Sequence, residues 1–547
     1  MSTDPQLIGD QARLKPEAGD LNACLNAHGL YSPRKFVLRL SPEVHRRIAS
    51  LPAGISTASL GFDDLRAYST YLHETVHWWQ HIGSVAGFIS GMTFPVQSHA
   101  NYSHLKNLLR MLGAKKSVRR IIETSPGQGG DFRTPVGLAN VIVNNYYDIS
   151  FFRSLISDPA SVPAIVNDPF FDFEGHCYEI GYENTLALLA RSVDRNFELL
   201  PDPRGWEDEF ANLRAARKEG YYRGSRVTVA PIGTLQIFEG QARFAQLQFL
   251  HLAMRHNLGW DEIRSRGMLT ERYVSAFNAF LQLTNLEWPP SVDHPTVGLF
   301  LLVCDTAINP GAGFPMPLRF FSAFIDDVNP GMRFLFLCRA IAKQRSRFSN
   351  AISDYSREEY IEVSSTLAHE LIIDAPIEIA EKVRDWDDGS EGFRAMMSHH
   401  LNFDYPPENL PVTLLLSYFL AFNRDKFSRP EFFCWPGAWM AGDRVSSEVG
   451  ALFDKHSALF IDKPDNDGIF PRVLEGRDEA NTNKVFQTFY EFAVTYDMTS
   501  QWIVRPGPFV YDYSWLSSSA TPEDCKRFAA SGLERAYGVH PDSFELL

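Results

Sequence analysis

Two histidines and a glutamate in the stretch HETVH, His73 to His77, have the residue types and the spacing of a catalytic metal site. Residues one helical turn apart lie about 5–6 Å from each other, so the imidazoles of His73 and His77 can converge on one ion. Glu74 stands to the side of that pair, where a carboxylate can take a proton from a water beside the metal. The pattern predicts one zinc ion (Zn2+) held by His73 and His77, with Glu74 as the catalytic base.

A third histidine, His81, continues the four-residue spacing, but it lies eight residues after His73 and therefore about 12 Å along a helix axis. An ion held at ~2.1 Å by the first two imidazoles is out of its reach. We therefore place His81 beside the ligand residues or in the substrate pocket, with an exposed position on the rim as the alternative.

Zinc held by two histidines lacks one protein ligand, usually a carboxylate or an imidazole from a remote part of the chain. The strongest candidate is Glu239, in a helix predicted over 232–256. Gly240 and Ala242 follow it, and such small residues would let this helix approach the histidine helix closely. The sequence thus predicts a metal site formed by His73, His77 and Glu239.

Two other acidic segments remain as alternatives for the missing ligand. STLAHELIIDAP (365–376) offers Glu370 and, one turn later, Asp374, where one carboxylate could bind metal and the other orient a ligand. EGHCYEIGYENTLALL (174–189) offers Glu183. A tetrahedral oxyanion would also need a hydrogen-bond donor. The candidates for that donor are Arg243, His176, Tyr178 and His369, and the sequence does not choose among them.

HETVH on a helix, followed by a distant glutamate, resembles the zincin metallopeptidases in their gluzincin arrangement. The longer stretch HETVHWWQHIGSVAG (73–87) is similar to an HExxHxxQ variant of uncharacterised bacterial proteins, and EGQA (239–242) is similar to the EGxA helix that carries the third ligand in many of them. The resemblance implies zinc bound by His73, His77 and Glu239, with Glu74 acting as general base and then general acid. The chain differs from many gluzincins at Arg243, where they have an acid.

The leading hypothesis is a zinc-dependent metallohydrolase, and most specifically a peptidase that acts on a protein or peptide substrate. One alternative is a non-catalytic, zinc-stabilised scaffold or interaction protein. That alternative requires a closed site with four protein ligands, because catalytic zinc keeps a position open for water. A hydrolase of non-peptide amides is a further alternative, which only substrate screening separates from a peptidase.

The elements that must position these residues are mainly helices. The periodicity predicts a mainly α fold (α+β with minor β), in which zincin-like helices lie inside a larger helical protein. The histidine helix is expected to begin near Asp63 and to run to about Gly87. The segment 36–40 is predicted as an edge strand that could pair with an extended peptide.

We divide the chain of 547 residues into three segments, since domains commonly contain ~100–200 residues. Residues 1–60 form an N-terminal strand and helix, 61–290 the metal-binding helical domain, and 291–547 a mainly helical domain without an assigned role. No internal repeat is apparent.

The composition of the chain disfavours some classes of binding partner and some cellular locations. A formal net charge of −14 disfavours binding to nucleic acid or to an anionic membrane surface. No apolar run reaches the ~20 residues that span a bilayer, and the first residues do not have the pattern of a secretory signal. The six cysteines form no CxxC pair, which favours free thiols over disulfides or a thiolate zinc site. We expect a cytoplasmic protein, and the sequence does not indicate its oligomeric state.

Overall fold

The computed structural model describes residues 28–51, 60–124, 131, 133–387, 389–472, 474, 476–517 and 519–547. It contains 24 α-helices and six strands among these residues, with 66% helix and 5% strand. The prediction of a mainly α fold with minor β is therefore confirmed. Of the predicted N-terminal segment, residues 1–27 and 52–59 lie outside the described ranges.

The strands form two small sheets. They are β1 (Gly29–Ser32), β2 (Val37–Leu40), β3 (Lys115–Lys116), β4 (Phe460–Lys463), β5 (Asn466–Pro471) and β6 (Glu545–Leu546). The first sheet has the order β1-β2-β4-β5, with β2 and β4 parallel and the two outer pairs antiparallel. The second sheet pairs β3 with β6 in parallel. Each sheet thus joins strands from the first 116 residues to strands from the last hundred residues.

Twelve of the helices in the described residues precede residue 310. They are α1 (Pro42–Ser50), α2 (Phe62–Gly83), α3 (Val85–Leu112), α4 (Val118–Glu123), α5 (Pro135–Ser157), α6 (Val162–Val166), α7 (Glu174–Val193), α8 (Trp206–Ala215), α9 (Thr234–Ala253), α10 (Trp260–Ser265), α11 (Glu271–Thr284) and α12 (Pro295–Ala307).

Twelve more helices follow. They are α13 (Phe324–Val328), α14 (Pro330–Lys343), α15 (Arg345–Phe348), α16 (Arg357–Leu371), α17 (Pro376–Arg384), α18 (Glu391–Asn402), α19 (Leu410–Ser428), α20 (Pro430–Cys434), α21 (Pro436–Trp439), α22 (Ser447–Lys455), α23 (Glu479–Val504) and α24 (Pro522–Tyr537).

The histidine helix α2 ends four residues earlier than predicted. Ser84 has an extended conformation, and its hydroxyl accepts a hydrogen bond from the Gly87 backbone N–H at 3.0 Å, which starts α3. Serine is a preferred N-cap residue, and that preference outweighs the apolar pattern that continues through the junction. A Cβ at Gly87 would lie 2.0 Å from the Gln80 carbonyl oxygen, so the close turn between the two helices requires glycine there.

The prediction that residues 36–40 form an edge strand is wrong. β2 lies between β1 and β4, with Val37 opposite Ser32 on one side and opposite Phe460 on the other. All four residues of β2 are buried. An apolar strand of this kind is typical of a sheet interior, and β1 forms that border of the described sheet.

One hydrophobic core runs through the three segments proposed from the sequence. It includes Tyr31 near the beginning of the described chain, Trp78 on α2, and Ala493 on α23. α2 packs against α9, α19, α3 and α1, and it also contacts β1 and β2. A smaller core lies between α3, α5, α23 and α24. The helix that carries the HETVH motif is therefore held from several sides.

Candidate metal centre

The side chains of His73, His77 and Glu239 converge where α2 packs against α9. The Nε2 atoms of the two histidines lie 3.1 Å apart. Oε2 of Glu239 lies 3.7 Å from Nε2 of His73 and 3.6 Å from Nε2 of His77. The structure thus brings together the two histidines and the acid that the sequence analysis favoured for metal binding.

The donor set passes a simple test of fit to zinc. Two ring nitrogens and one carboxylate are ordinary zinc ligands, and bonds of about 2.0–2.1 Å in tetrahedral geometry separate ligand atoms by about 3.3–3.4 Å. The separation between the two histidine nitrogens, 3.1 Å, is slightly shorter than that value. The separations of 3.6 and 3.7 Å between these nitrogens and Oε2 of Glu239 are slightly longer. The described residues supply these three ligands at one place, and the cluster contains no fourth protein ligand among them.

Gln80 determines which nitrogen of His77 faces the acid. Its amide nitrogen donates to the Phe238 carbonyl oxygen at 3.0 Å and to Oε1 of Gln241 at 2.9 Å. Its amide oxygen therefore faces Nδ1 of His77, 2.8 Å away, and can only accept. Nδ1 must carry the hydrogen, so in the neutral form of the ring Nε2 presents a lone pair toward Glu239. A metal-ligating histidine needs this tautomer.

The charges of the cluster follow from burial and from close contacts. Burial lowers the pKa of His73 to about 3, so its ring is neutral. Burial alone would raise the pKa of Glu239, but the contacts with His73 and His77 and the charge of Arg272 hold that pKa well below its ordinary value. The cluster therefore combines a neutral imidazole with an ionised carboxylate, which are the protonation states that bind metal.

Glu74 lies next to this cluster and packs against strand β1. A Cβ built on Gly29 would lie 2.6 Å from Cγ and 2.7 Å from Oε1 of Glu74, so only glycine leaves room for this side chain. Burial raises the pKa of Glu74 to about 7. A carboxyl group with that pKa can both accept and return a proton near neutral pH.

A cavity of about 540 Å³ opens beside the cluster. His73 and Glu74 line one wall, and His28 and Gly29 border it at the start of β1. The residues before and at the start of α11 form another part of the wall. The volume lies within the range of ~300–1,000 Å³ that is usual for ligand pockets, and of the three ligand residues His73 lines its wall.

Three residues around the cavity give it a cationic and aromatic wall. Arg272 donates to Oε1 of Glu239, and the Tyr273 ring lies 5.8 Å from the His73 ring. The guanidinium of Arg243 lies 3.7 Å from the centre of the Tyr273 ring. Arg272 and Tyr273 were not predicted from the sequence, because they lie on α11, more than 30 residues after Glu239, and belong to no motif. Arg243 is the predicted oxyanion donor that does line the cavity.

His81 is buried and does not lie on an exposed rim. Its Nδ1 is 2.6 Å from the Tyr31 hydroxyl, and Nε2 lies against Gly91, where a Cβ would come within 2.5 Å. Burial lowers the pKa of His81 to about 3. It is not among the residues that line the cavity. The side chain instead ties α2 to β1 and α3, so His81 lies neither in the substrate cavity, as preferred from the sequence, nor on an exposed rim, which was the alternative.

The alternative ligand residues do not join the cluster. Glu370 is exposed near the end of α16, and Asp374 pairs with Arg319. Glu183 lies on α7, where burial raises its pKa to about 7. None of the three lines the cavity beside His73.

Three of the predicted oxyanion donors also lie elsewhere. His176 contacts Asp148, with Nε2 3.4 Å from Oδ2. The Tyr178 hydroxyl accepts a hydrogen bond from Asn329 at 2.8 Å in the core, and His369 is exposed on α16. The cavity lining includes none of them.

Gly240 allows a close contact with helices other than the predicted one. A Cβ there would lie 3.0 Å from Cβ of Ala276 on α11 and 3.1 Å from Cζ of Phe300 on α12. The absence of a side chain at Gly240 therefore lets α11 and α12 pack closely against α9. From the sequence, Gly240 was expected to allow the close approach of α9 to α2. This contact brings α11, with Arg272 and Tyr273, to the metal cluster.

Comparison of the chain with protein-family models, with curated proteins and with solved structures finds no match. Within the described residues, no helix has the length and apolar character needed to cross a membrane. The resemblance to the zincin motif therefore remains a resemblance of residues and spacing.

Proposed function

We propose that this protein is a metal-dependent hydrolase of the zincin type. Within that class, we propose a zinc peptidase. The observation that carries the proposal is the convergence of Nε2 of His73, Nε2 of His77 and Oε2 of Glu239 at 3.1–3.7 Å, next to a cavity that also exposes Glu74. Three convergent ligands and an open cavity support catalysis, whereas the scaffold alternative requires a closed site with four ligands.

When bound, zinc supplies a Lewis acid that lowers the pKa of a water toward ~7 and polarises a carbonyl group. Glu74 takes the proton from the attacking water and then returns it to the leaving nitrogen as the C–N bond breaks. Gly29 holds this carboxylate in place, because it leaves space for Cγ and Oε1 of Glu74. His77 keeps its lone pair directed at the metal position through its hydrogen bond to Gln80.

Arg243 is the residue that we assign to the developing oxyanion. Its Nε atom is buried and has no hydrogen-bond partner, and its side chain donates to Gln246. The ion pairs found in the described residues do not include it, whereas Arg272 is paired with Glu239. A guanidinium on the wall of the cavity that forms no ion pair within the described residues can therefore donate to substrate oxygen.

The experiment that tests the proposal replaces Glu74 with Gln. The expected result is bound zinc as in the wild type and turnover on a mixed peptide substrate reduced by about 10²–10⁴-fold or lost. Glu271→Gln is the matched control, because Glu271 lines the same cavity on α11. Retained turnover in Glu74→Gln would refute the assignment of the base. Absence of zinc from the wild type would refute the metal centre.

A further inference from the structure

A second group of metal-ligand side chains lies at the other end of α9, away from the HETVH motif. His251 is in the last turn of α9, His256 follows the helix, and Asp293 precedes α12. Nδ1 of His256 lies 3.3 Å from Nε2 of His251 and 3.0 Å from Oδ2 of Asp293. Nε2 of His251 lies 3.4 Å from Oδ1 of Asp293. We propose that these three residues form a second site for a divalent transition-metal ion.

The separations match those of a bound ion. Ligands of a tetrahedral zinc ion with bonds of about 2.0–2.1 Å lie about 3.3–3.4 Å apart, and the three distances here are between 3.0 and 3.4 Å, with His256 facing Oδ2 and His251 facing Oδ1 of the Asp293 carboxylate. Two imidazoles and one carboxylate select zinc, cobalt or nickel over magnesium and calcium, which prefer oxygen ligands alone. The ligand chemistry thus specifies the class of metal.

The backbone contact of His251 fixes its tautomer. Nδ1 of His251 lies 2.8 Å from the Leu258 carbonyl oxygen, which can only accept, so Nδ1 carries the hydrogen. In the neutral ring, Nε2 then carries no hydrogen, and its lone pair faces the carboxylate of Asp293. Two acceptors at this distance repel each other unless a cation or a proton lies between them. A second contact of this kind commonly orients histidine ligands in metal sites.

The backbone turns His256 back toward His251. Residues five apart on a helix point about 140° away from each other, so the spacing HLAMRH does not indicate a shared site. Arg255 and His256 have φ values of 54° and 63°, in the left-handed region, and the His256 N–H donates to the His251 carbonyl oxygen at 2.8 Å. Left-handed conformations in residues other than glycine are strained and occur preferentially at functional sites. The turn explains why the sequence analysis missed this cluster.

The exposure of the cluster determines whether water can reach a bound ion. The His251 side chain is 5% exposed, while those of Asp293 and His256 are 32% and 60% exposed. Water can therefore complete the coordination, and the ion can exchange with solvent. Binding joins the end of α9, which carries Glu239, to the segment before α12. A bound ion would thus fix the end of the helix that supplies the third ligand of the catalytic centre. The proposal of this second site does not depend on the proposed peptidase activity.

Metal counting on the full chain tests the proposal. We expect two equivalents of Zn2+ per wild-type chain after chelator treatment and dialysis against micromolar Zn2+, and one equivalent for His256→Ala. His256 is largely exposed, so its truncation preserves the fold. His369→Ala is the matched control, since His369 is also exposed and lies outside both clusters, and it should keep two equivalents. Equal zinc content in the wild type and in His256→Ala would overturn the proposal.

A second pair of variants separates this site from the proposed catalytic centre. In a chain with both His73→Ala and His77→Ala we expect one remaining equivalent of Zn2+. Adding His256→Ala to that chain should remove it. Asp293→Asn should weaken binding in that chain by at least ten-fold and abolish the rise in melting temperature on adding Zn2+. If only a proton occupies the cluster, the double variant binds no zinc and the inference fails. If the double variant keeps two equivalents and His256→Ala then removes one of them, the catalytic centre fails while this site stands.

Discussion

Gln80 and His77 form the contact that orients the first metal cluster. The Gln80 amide oxygen lies 2.8 Å from Nδ1 of His77, and the Gln80 amide nitrogen is held by the Phe238 carbonyl oxygen and by Gln241. The contact therefore links α2 to α9. It also determines that the lone pair of His77 is on Nε2. It also gives a physical role to the final residue of the HExxHxxQ pattern.

Replacing Gln80 with Met should weaken zinc binding by about 10–100-fold, which is typical when the outer partner of a ligand histidine is lost. Competition with a chromophoric chelator measures this affinity. Gln97→Met is the control, because Gln97 is also a buried glutamine with hydrogen bonds, to Tyr146 and Ser150, but lies on α3. An unchanged zinc affinity in Gln80→Met would contradict the proposed role.

The identity of the third ligand can be tested by elemental analysis of separate alanine variants. We expect Glu239→Ala to lose zinc from the first cluster, because its Oε2 is the carboxylate oxygen that faces both histidines. Glu370→Ala and Glu183→Ala should keep the wild-type zinc content, since neither residue joins the cluster. Loss of zinc in either of these two variants, with retention in Glu239→Ala, would reverse the assignment.

The sequence predicted the residues with a short-range signal and missed those that depend on tertiary packing. His73, Glu74 and His77 share one helix, so spacing alone places them on neighbouring faces. Glu239 had a weaker signal, because only the small residues that follow it and the resemblance of EGQA to a family motif singled it out. Arg272 and Tyr273 had no signal, since they reach the cavity through the packing of α11 against Gly240.

Two errors in the fold prediction have identifiable causes in the structure. The end of α2 was placed too late because the apolar pattern continues through Ser84, whose capping hydrogen bond starts a new helix. Strand β2 was taken as an edge because its partner β4 lies more than 400 residues later in the chain. Periodicity contains information on neither the capping contact nor the distant partner.

The pH dependence of stability can be tested at Glu174, which is remote from both metal clusters in sequence. Burial raises the pKa of Glu174 to about 7 from a value of 4.5. Between these values the unfolded chain releases the proton first, so the folded state loses stability as the pH rises from 4.5 to 7. Below pH 4.5 both states hold the proton, and this cost is absent.

Glu174→Gln should therefore be more stable than the wild type by about 1–3 kcal/mol at pH 8 and equally stable at pH 4. The glutamine oxygen can still accept the Thr228 N–H, which lies 3.0 Å from the carboxylate. Urea unfolding at pH 4, 6 and 8 measures the difference. Glu358→Gln, at an exposed position on α16, should show no comparable change with pH. A stability difference that is the same at all three pH values would contradict the assignment to Glu174.

The position of Glu74 against strand β1 can be tested through Gly29. A Cβ at residue 29 would lie 2.6 Å from Cγ of Glu74, and this side chain is only 5% exposed, so it cannot move without displacing its neighbours. Gly29→Ala should therefore shift the carboxylate by a fraction of an ångström to an ångström. Misplacement on this scale can cost about 10²-fold in rate. We expect kcat on a peptide substrate to fall by about that factor, with little change in KM.

The zinc content separates this effect from general damage to the site. The three heavy atoms nearest to a Cβ at residue 29 all belong to Glu74, so Gly29→Ala should bind zinc as the wild type does. Gly61→Ala is the matched control, because a Cβ at Gly61, just before α2, would have its nearest neighbour 4.0 Å away, at Oδ2 of Asp64. Normal kcat in Gly29→Ala would show that the catalytic proton transfer does not require Glu74 in its present position, and loss of zinc would show that β1 supports the ligands themselves.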